Sequence, residues 1–518
     1  MGDRRLPLVQ LMETTTFIPA GRTTVEMREI LLGNGFVVGQ PVTSTSTVLD
    51  TFDGLLHQAG MRLTLRCAPD SVLVLTSSGS PPATMPVTQA TRFAADLSAG
   101  PFRSRLAAVT GIRALLPVVS FTERVTTSVR RDREGKTAVT LTLHEPITDG
   151  HSPALMIDVT EHLGHPKPAA RARKLLSAIG CTTLGHDVVG QIITSSGADP
   201  AGFDSSPAVP LDASQPAIVG WQTVLAGLAL TIDANWQGTI DEIDPEFLHE
   251  LRVAVRRSRS VIAQGKRILP DAVRKTFREE FGWLGAITGP PRDLDVYVIE
   301  WSRYVAPLGP LSIAALQPVL EHLQAHRGRA HADLVEAMRS ERAAQLLTTW
   351  AAWLHATPDT VDPSEHANHS LGRVVAERIS DLHETLLDHG RRITDESPAQ
   401  DLHDLRKIAK KLRYLFECFA TVMATKPVKS FVSQLKQLQD NLGEHQDAAV
   451  HADELRAVAA ELNSESTSPD TFIAIGRLSE RLELAKASAR DEFPRRFDAY
   501  DSKPTRRLLR GMLEALDR

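Results

Sequence analysis

A basic helical segment occurs twice in this chain at one constant offset of 154 residues, so that position 249 falls on 403. The first copy reads His249-Glu250-Leu251-Arg252-Val253-Ala254-Val255-Arg256-Arg257-Ser258-Arg259. The second reads His403-Asp404-Leu405-Arg406-Lys407-Ile408-Ala409-Lys410-Lys411-Leu412-Arg413. The same offset carries Lys275 to Lys429, Leu284 to Leu438, Gly289 to Gly443, Asp293 to Asp447 and Val296 to Val450. An ungapped match of this length implies a tandem duplication of helical units.

At about 100° per residue, His249, Arg252, Arg256 and Arg259 fall within an arc of about 80°, as do His403, Arg406, Lys410 and Arg413. Leu251, Val255 and Ile262, and in the second copy Leu405, Ala409 and Leu412, form a separate apolar stripe. Each segment is thus an amphipathic helix with a cationic ridge. Like charges at i,i+3 and i,i+4 repel by a few tenths of a kcal/mol per pair. A ridge of this kind calls for an anion, either acidic side chains or an external polyanion. A solvated charged face is the plain alternative for one such run, and its recurrence in register argues against it.

The net charge of −5 excludes a generally basic, nucleic-acid-coating protein, so the positive charge is local. Aromatic residues make up only 5% and do not interleave the ridges, which disfavours a stacking platform for single-stranded nucleic acid. Cys67, Cys181 and Cys418 supply neither a disulfide framework nor a metal cluster and fit a reducing cytoplasm. No signal pattern opens the chain. The apolar stretch 217–232 is too short to span a bilayer, so no membrane association is expected.

Residues 1–194 alternate with period two, as in 62–66 and 138–143, which predicts antiparallel strands, with helices near 23–34 and 169–179. Residues 195–216, rich in Ser, Gly and Pro, read as a linker. From 217 to 518 the pattern is helical, in halves of about 217–360 and 361–518 with about four helices each. Breaks are expected near Pro270, Gly289-Pro290-Pro291, residues 358–363, Pro398 and Gly443. The fold class is α+β: a strand-rich domain followed by an all-α domain.

Segments 249–259, 283–296 (Trp283-Leu284, then Gly289-Pro290-Pro291-Arg292-Asp293-Leu294-Asp295-Val296), 403–414 and 435–450 resemble the CHAD family of histidine-containing α-helical domains. The resemblance implies two four-helix bundles related by a pseudo-twofold, with basic helices facing a central cleft. It also implies binding of inorganic polyphosphate and an association with polyphosphate granules. The N-terminal domain resembles the CYTH, or triphosphate-tunnel, family through Leu49-Asp50-Thr51-Phe52-Asp53 and Ala59-Gly60-Met61-Arg62-Leu63-Thr64-Leu65-Arg66. That resemblance is to a worn antiparallel tunnel or barrel. The family's opening Glu-x-Glu-x-Lys is replaced by a stretch with Glu13 as its single carboxylate, and 157–161 offers Asp158 but Thr160 where a second inward acid belongs.

The expected polyphosphate contacts are Arg252, Arg256, Arg257, Arg259, Arg406, Lys407, Lys410, Lys411 and Arg413, because guanidinium forks and mobile ammonium groups suit a long repeating polyanion. Lys266, Lys275, Lys429 and Lys436 are secondary candidates, for which solvent exposure is an equal alternative. His249 and His403 either donate to phosphate or hold a helix start. No metal site is expected at them, since neither has a second ligand at i+3 or i+4. Asp293 and Asp447 read as structural, capping a helix or pairing with Arg292 or a ridge arginine. Arg62 and Arg66 share one strand face and retain phosphate attraction there, with Arg124 as a third member. The leading expectation is a cytoplasmic polyphosphate-binding protein without catalysis or cofactor. The alternative is a triphosphatase that requires Mg²⁺ in the tunnel. A protein partner on the strand domain stays open.

Overall fold

The computed structural model describes residues 14–19, 21–67, 71–77, 80–89, 91–147, 155–162, 165–183, 192–193, 196–199, 201–205, 208–356, 364–462 and 466–516. Glu13, part of the expected linker and the expected break at 358–363 lie outside them. The chain divides into two compact units, 1–205 and 206–518.

The first unit is built on an antiparallel sheet of β1 (Thr14–Pro19), β2 (Val37–Val38), β3 (Val42–Asp50), β4 (Met61–Cys67), β5 (Ser71–Ser77), β6 (Ser80–Pro86), β7 (Leu116–Arg131), β8 (Thr137–Ile147), β9 (Met156–Glu161) and β10 (Cys181–Thr183). Their order is β10-β1-β9-β8-β7-β3-β4-β5-β6, with β2 beside β7, and the sheet curls into a half-barrel. Alternation puts Phe17, Leu141, Leu143, Ile157 and Val159 on one face. There they meet Met27 and Leu31 of α1 (Thr24–Gly33) and Leu176 of α4 (Pro166–Ala178). Helix α1 starts with a capping box between Thr23 and Glu26. Gly180, at φ +88°, takes the left-handed turn after α4. The motif residue Asp50 accepts backbone N–H bonds from Leu56 and His57 of α2 (Leu55–Gln58), which gives it a structural role. Helix α3 (Pro101–Thr110) packs Phe102 and Leu106 against Leu63, Leu73 and Leu75.

The second unit is helical: α5 (Ala217–Ile240), α6 (Pro245–Gln264), α7 (Asp271–Ile287), α8 (Gly289–Val305), α9 (Pro310–Ala315), α10 (Gln317–Met338), α11 (Glu341–His355), α12 (Leu371–Gly390), α13 (Ala399–Cys418), α14 (Thr425–Glu461), α15 (Pro469–Tyr500) and α16 (Lys503–Leu516). The ridge helices α6 and α13 begin at positions separated by the sequence offset and have the same length of 20 residues. Both apolar cores draw on both halves. Trp221, Leu251, Leu284, Leu371, Leu412 and Phe431 share one, and Tyr297, Val319, Leu323, Leu455 and Leu478 share the other.

Three details differ from the sequence reading. The described residues hold seven helices in the first half and five in the second, where about four each are expected. No break occurs at Gly443, because α14 runs through it for 37 residues. The counterpart at Gly289 breaks because Pro290 and Pro291 follow it and fit only a first helical turn. The apolar stretch from 217 continues to Ile240 as a 24-residue helix, long and apolar enough by composition to cross a bilayer. In this structure Trp221, Leu225 and Ile232 are core residues, and the Trp221 indole donates to the Val261 carbonyl.

Candidate functional site

The two ridges meet at one cleft. Arg256 and Arg259 of α6, Arg278 of α7, and Lys407, Lys410 and Lys411 of α13 line a concavity of about 370 Å³, completed by Ser260, Ala263 and Tyr414. No carboxylate lines it. Lys407 lies 3.1 Å from Asp404. Among the described residues, Arg256, Arg259, Arg278, Lys410 and Lys411 make no ion pair. The Arg256 Nε is buried without a hydrogen-bond partner. Burial, then Arg406 and Arg256, push the Lys410 ammonium down to about 7, and Asp447 offsets only part of this. The cleft therefore concentrates positive charge that the described protein groups do not neutralise.

The flanks of the ridges are tied down at equivalent positions. Arg252 Nη2 approaches Asp293 Oδ1 at 3.5 Å, and Arg406 Nη2 approaches Asp447 Oδ1 at 3.3 Å. Pairing with a ridge arginine is one of the structural roles expected of these aspartates. The glycines matched by the offset both face a ridge arginine: a Cβ on Gly289 would crowd Arg252 Nη1 at 3.1 Å, whereas one on Gly443 would meet Arg406 Nη2 at an ordinary contact distance of 3.7 Å. Gly285 makes the same room for Arg259, at 2.7 Å, and its carbonyl accepts from Arg252 Nη1 at 3.2 Å.

Other expected contacts lie outside the cleft lining. Arg257 and Arg413 both pair with Glu417, at 2.9 and 3.2 Å, and so brace α6 against α13. His403 Nδ1 sits 2.7 Å from Gln446 Oε1, a side chain in the middle of α14 rather than a group at a helix start. His249 lies with Glu246 and Glu250, carboxylates at i−3 and i+1 rather than i+3 and i+4, in a group whose ligand atoms are within 4.8 Å of one another. Glu246 also faces Arg292 at 4.0 Å. Lys266, Lys275, Lys429 and Lys436 are exposed and do not line the cleft. Arg278 was missed because the offset pairs it with Val432. Its spacing with Lys275, Gly282 and Gly285 on one helical face was the available signal.

In the half-barrel, buried Glu123 and His144 and half-buried Asp158 form a row. His144 Nδ1 is 3.0 Å from Glu123 Oε2, and its Nε2 is 3.3 Å from Asp158 Oδ2. Ser46 donates to Glu123 at 2.8 Å and Thr16 to Asp158 at 2.6 Å. Burial opposes protonation of His144, but hydrogen bonds and charge from Asp158 and Glu123 outweigh it and push the imidazole up to about 9. Burial likewise opposes ionisation of both acids, and contact with His144 overcomes it and lowers them. Ser46 pairs with Arg66 in register, so Arg66, and Arg62 four residues before it, share this face. Arg124 does not. It neighbours Glu123 on β7, so it points to the opposite face and pairs with Glu145 at 3.0 Å. The CYTH-like metal does not fit this donor set: both described inward acids are committed to an imidazolium, whereas Mg²⁺ demands free oxygen ligands.

Residues 223–456 match the family model of the CHAD domain. Uncharacterized proteins of two Mycobacterium tuberculosis strains, CDC 1551 / Oshkosh and H37Rv, are 25% identical over 249 residues, covering 45% of this chain and 44% of theirs. The chain thus spans less than half the length of these curated relatives. The solved CHAD domain from the plant Ricinus communis is 25% identical, covering 57% of this chain and 96% of its own, at a TM-score of 0.48. A putative adenylyl cyclase from Hippeastrum, described with a dominant triphosphatase activity, is 14% identical, covering 38% of this chain and 100% of its own, at 0.27. The stretch that matches the CHAD domain model, residues 223–456, carries both ridges and all six cations of the cleft.

Proposed function

We propose that this protein binds inorganic polyphosphate, as one chain held in the cleft between α6 and α13, without hydrolysing it. The observation that carries this reading is the convergence of cations from both sequence copies, Arg256 and Arg259 with Lys407, Lys410 and Lys411, on a concavity that no carboxylate lines. A polymer with a negative charge on every unit neutralises such a surface without a shaped pocket. Guanidiniums grip its oxygens in pairs while the lysines follow it as point charges. The relevant unit is the whole helical segment 217–518, and its setting is the cytoplasm, at polyphosphate granules. The Glu123–His144–Asp158 row argues against the triphosphatase alternative, since a divalent ion would have to displace a resident cation.

A calorimetric titration of the full chain with polyphosphate of defined lengths, at several salt concentrations, tests the proposal. Log affinity should fall linearly with log salt, as counterion release predicts for basic proteins on nucleic acid. A salt-independent affinity would exclude the ridges as the carrier. Tighter binding of RNA than of polyphosphate would assign the cleft to nucleic acid.

A further inference from the structure

We infer a site for one borderline divalent cation, Zn²⁺ in preference to Mg²⁺, formed by His322, His326 and Glu461. The two histidines sit at i and i+4 on α10, so both imidazoles leave the same helical face. Glu461, the last residue of α14, meets them there. His322 Nε2 lies 2.9 Å and His326 Nε2 lies 3.0 Å from the same carboxylate oxygen, Oε2. All three donors lie within 4.8 Å of one another.

Zinc held tetrahedrally at about 2.0–2.1 Å from each donor separates neighbouring donors by about 3.3 Å. The two histidine–carboxylate spacings need to open by only a few tenths of an ångström, and the two imidazole donors already lie within 4.8 Å of each other. Each imidazole presents its Nε2 lone pair once its proton resides on Nδ1. Glu454 Oε1 lies 4.0 Å from His326 Nδ1, beyond hydrogen-bond distance, and a side-chain shift of about 1 Å would bring it to the place of an outer carboxylate partner. Two imidazoles and one carboxylate suit Zn²⁺, Co²⁺, Ni²⁺ or Cu²⁺, whereas Mg²⁺ favours an all-oxygen octahedron. With three protein donors, the remaining position is left to water or an incoming anion.

The site is independent of the basic cleft and of the duplicated motifs. The offset puts Gly476 and Glu480 at the two histidine positions, so the second copy lacks it. Because α10 and α14 belong to different halves, a bound ion links them and stabilises the folded unit by mass action.

The test uses the full-length, tag-free chain titrated with zinc chloride by calorimetry, with Co²⁺ as the spectroscopic probe. The wild type should bind Zn²⁺ at this site, give a ligand-field absorption with Co²⁺, and melt at a higher temperature with zinc. The double variant His322→Ala/His326→Ala should lose one zinc equivalent, the Co²⁺ band and the thermal shift. His249→Ala should keep all three. An unchanged zinc stoichiometry and affinity in the double variant would overturn the proposal. So would absence of zinc binding in the wild type, or loss of the signals only in His249→Ala.

Discussion

Arg256 and Lys410 occupy matched positions of the two sequence copies and line the same cleft, where the guanidinium charge helps to hold the lysine below its usual range. Two cations placed together in a partly dry site raise each other's cost of ionisation. A polyanion removes that cost, which makes Lys410 a reporter of binding.

Polyphosphate binding should therefore take up a proton between about pH 7 and the ordinary lysine value of 10.5. In that window the unfolded chain binds the proton more readily, so this group's effect on stability in the free protein improves as pH rises. Bound polyanion should raise the Lys410 value toward the ordinary one and so remove this trend in that window. The measurement is binding enthalpy in buffers of different ionisation enthalpy. Lys410→Arg, charged throughout, should bind without the uptake.

Gly285 makes space for Arg259 and Gly289 for Arg252, and a larger side chain should push the guanidinium aside. The Cβ contact on Gly285 is with the far end of a flexible side chain, so the fold should absorb it. Gly285→Leu should shift the melting temperature little and weaken polyphosphate binding by displacing Arg259. A large melting loss with unchanged affinity would assign the glycine to packing alone.

His144 stabilises the half-barrel as an imidazolium between Glu123 and Asp158. Its folded value of about 9 exceeds the ordinary 6.5, so the contribution is complete below about 6.5 and is lost as pH rises through about 9. The two acids, held below their ordinary values, lose their contribution as pH falls through the folded ones. His144→Leu should cost about 3–5 kcal/mol at neutral pH, because it leaves buried carboxylates uncompensated. A pH-dependent melting series of both proteins checks the sign.

The same row predicts chemistry. Tripolyphosphate with Mg²⁺ or Mn²⁺ should release no appreciable phosphate, measured by a colorimetric assay. Robust metal-dependent turnover, lost in Glu123→Gln, would restore the triphosphatase alternative.

The ridges were legible because helical periodicity and repetition are both one-dimensional signals, and five of the cleft cations came from them. Arg257 and Arg413 were counted as ligand contacts because their partner, Glu417, has Ala263 as its counterpart and drops out of a comparison between copies. Gly443 reads as a helix break by analogy with Gly289, but no proline follows it, and an isolated glycine is carried within a long helix. In the strand unit a one-residue step decides the face. Arg124 was chosen for its charge, while its neighbour Glu123 points inward. The triad with His144 is a diagonal contact across three strands, set by register rather than by spacing along the chain.

The most direct test of the central claim, one polymer held by both ridges, is a pair of triple variants titrated with long-chain polyphosphate. If the ridges share a cleft, the second contact profits from high effective concentration. Arg252→Ala/Arg256→Ala/Arg259→Ala and Arg406→Ala/Lys410→Ala/Arg413→Ala should then lose affinity to a similar extent, each at a stoichiometry of one chain per protein. Short chains should lose less. A variant that halves the stoichiometry and keeps the wild-type affinity would mean two independent sites and contradict the shared cleft.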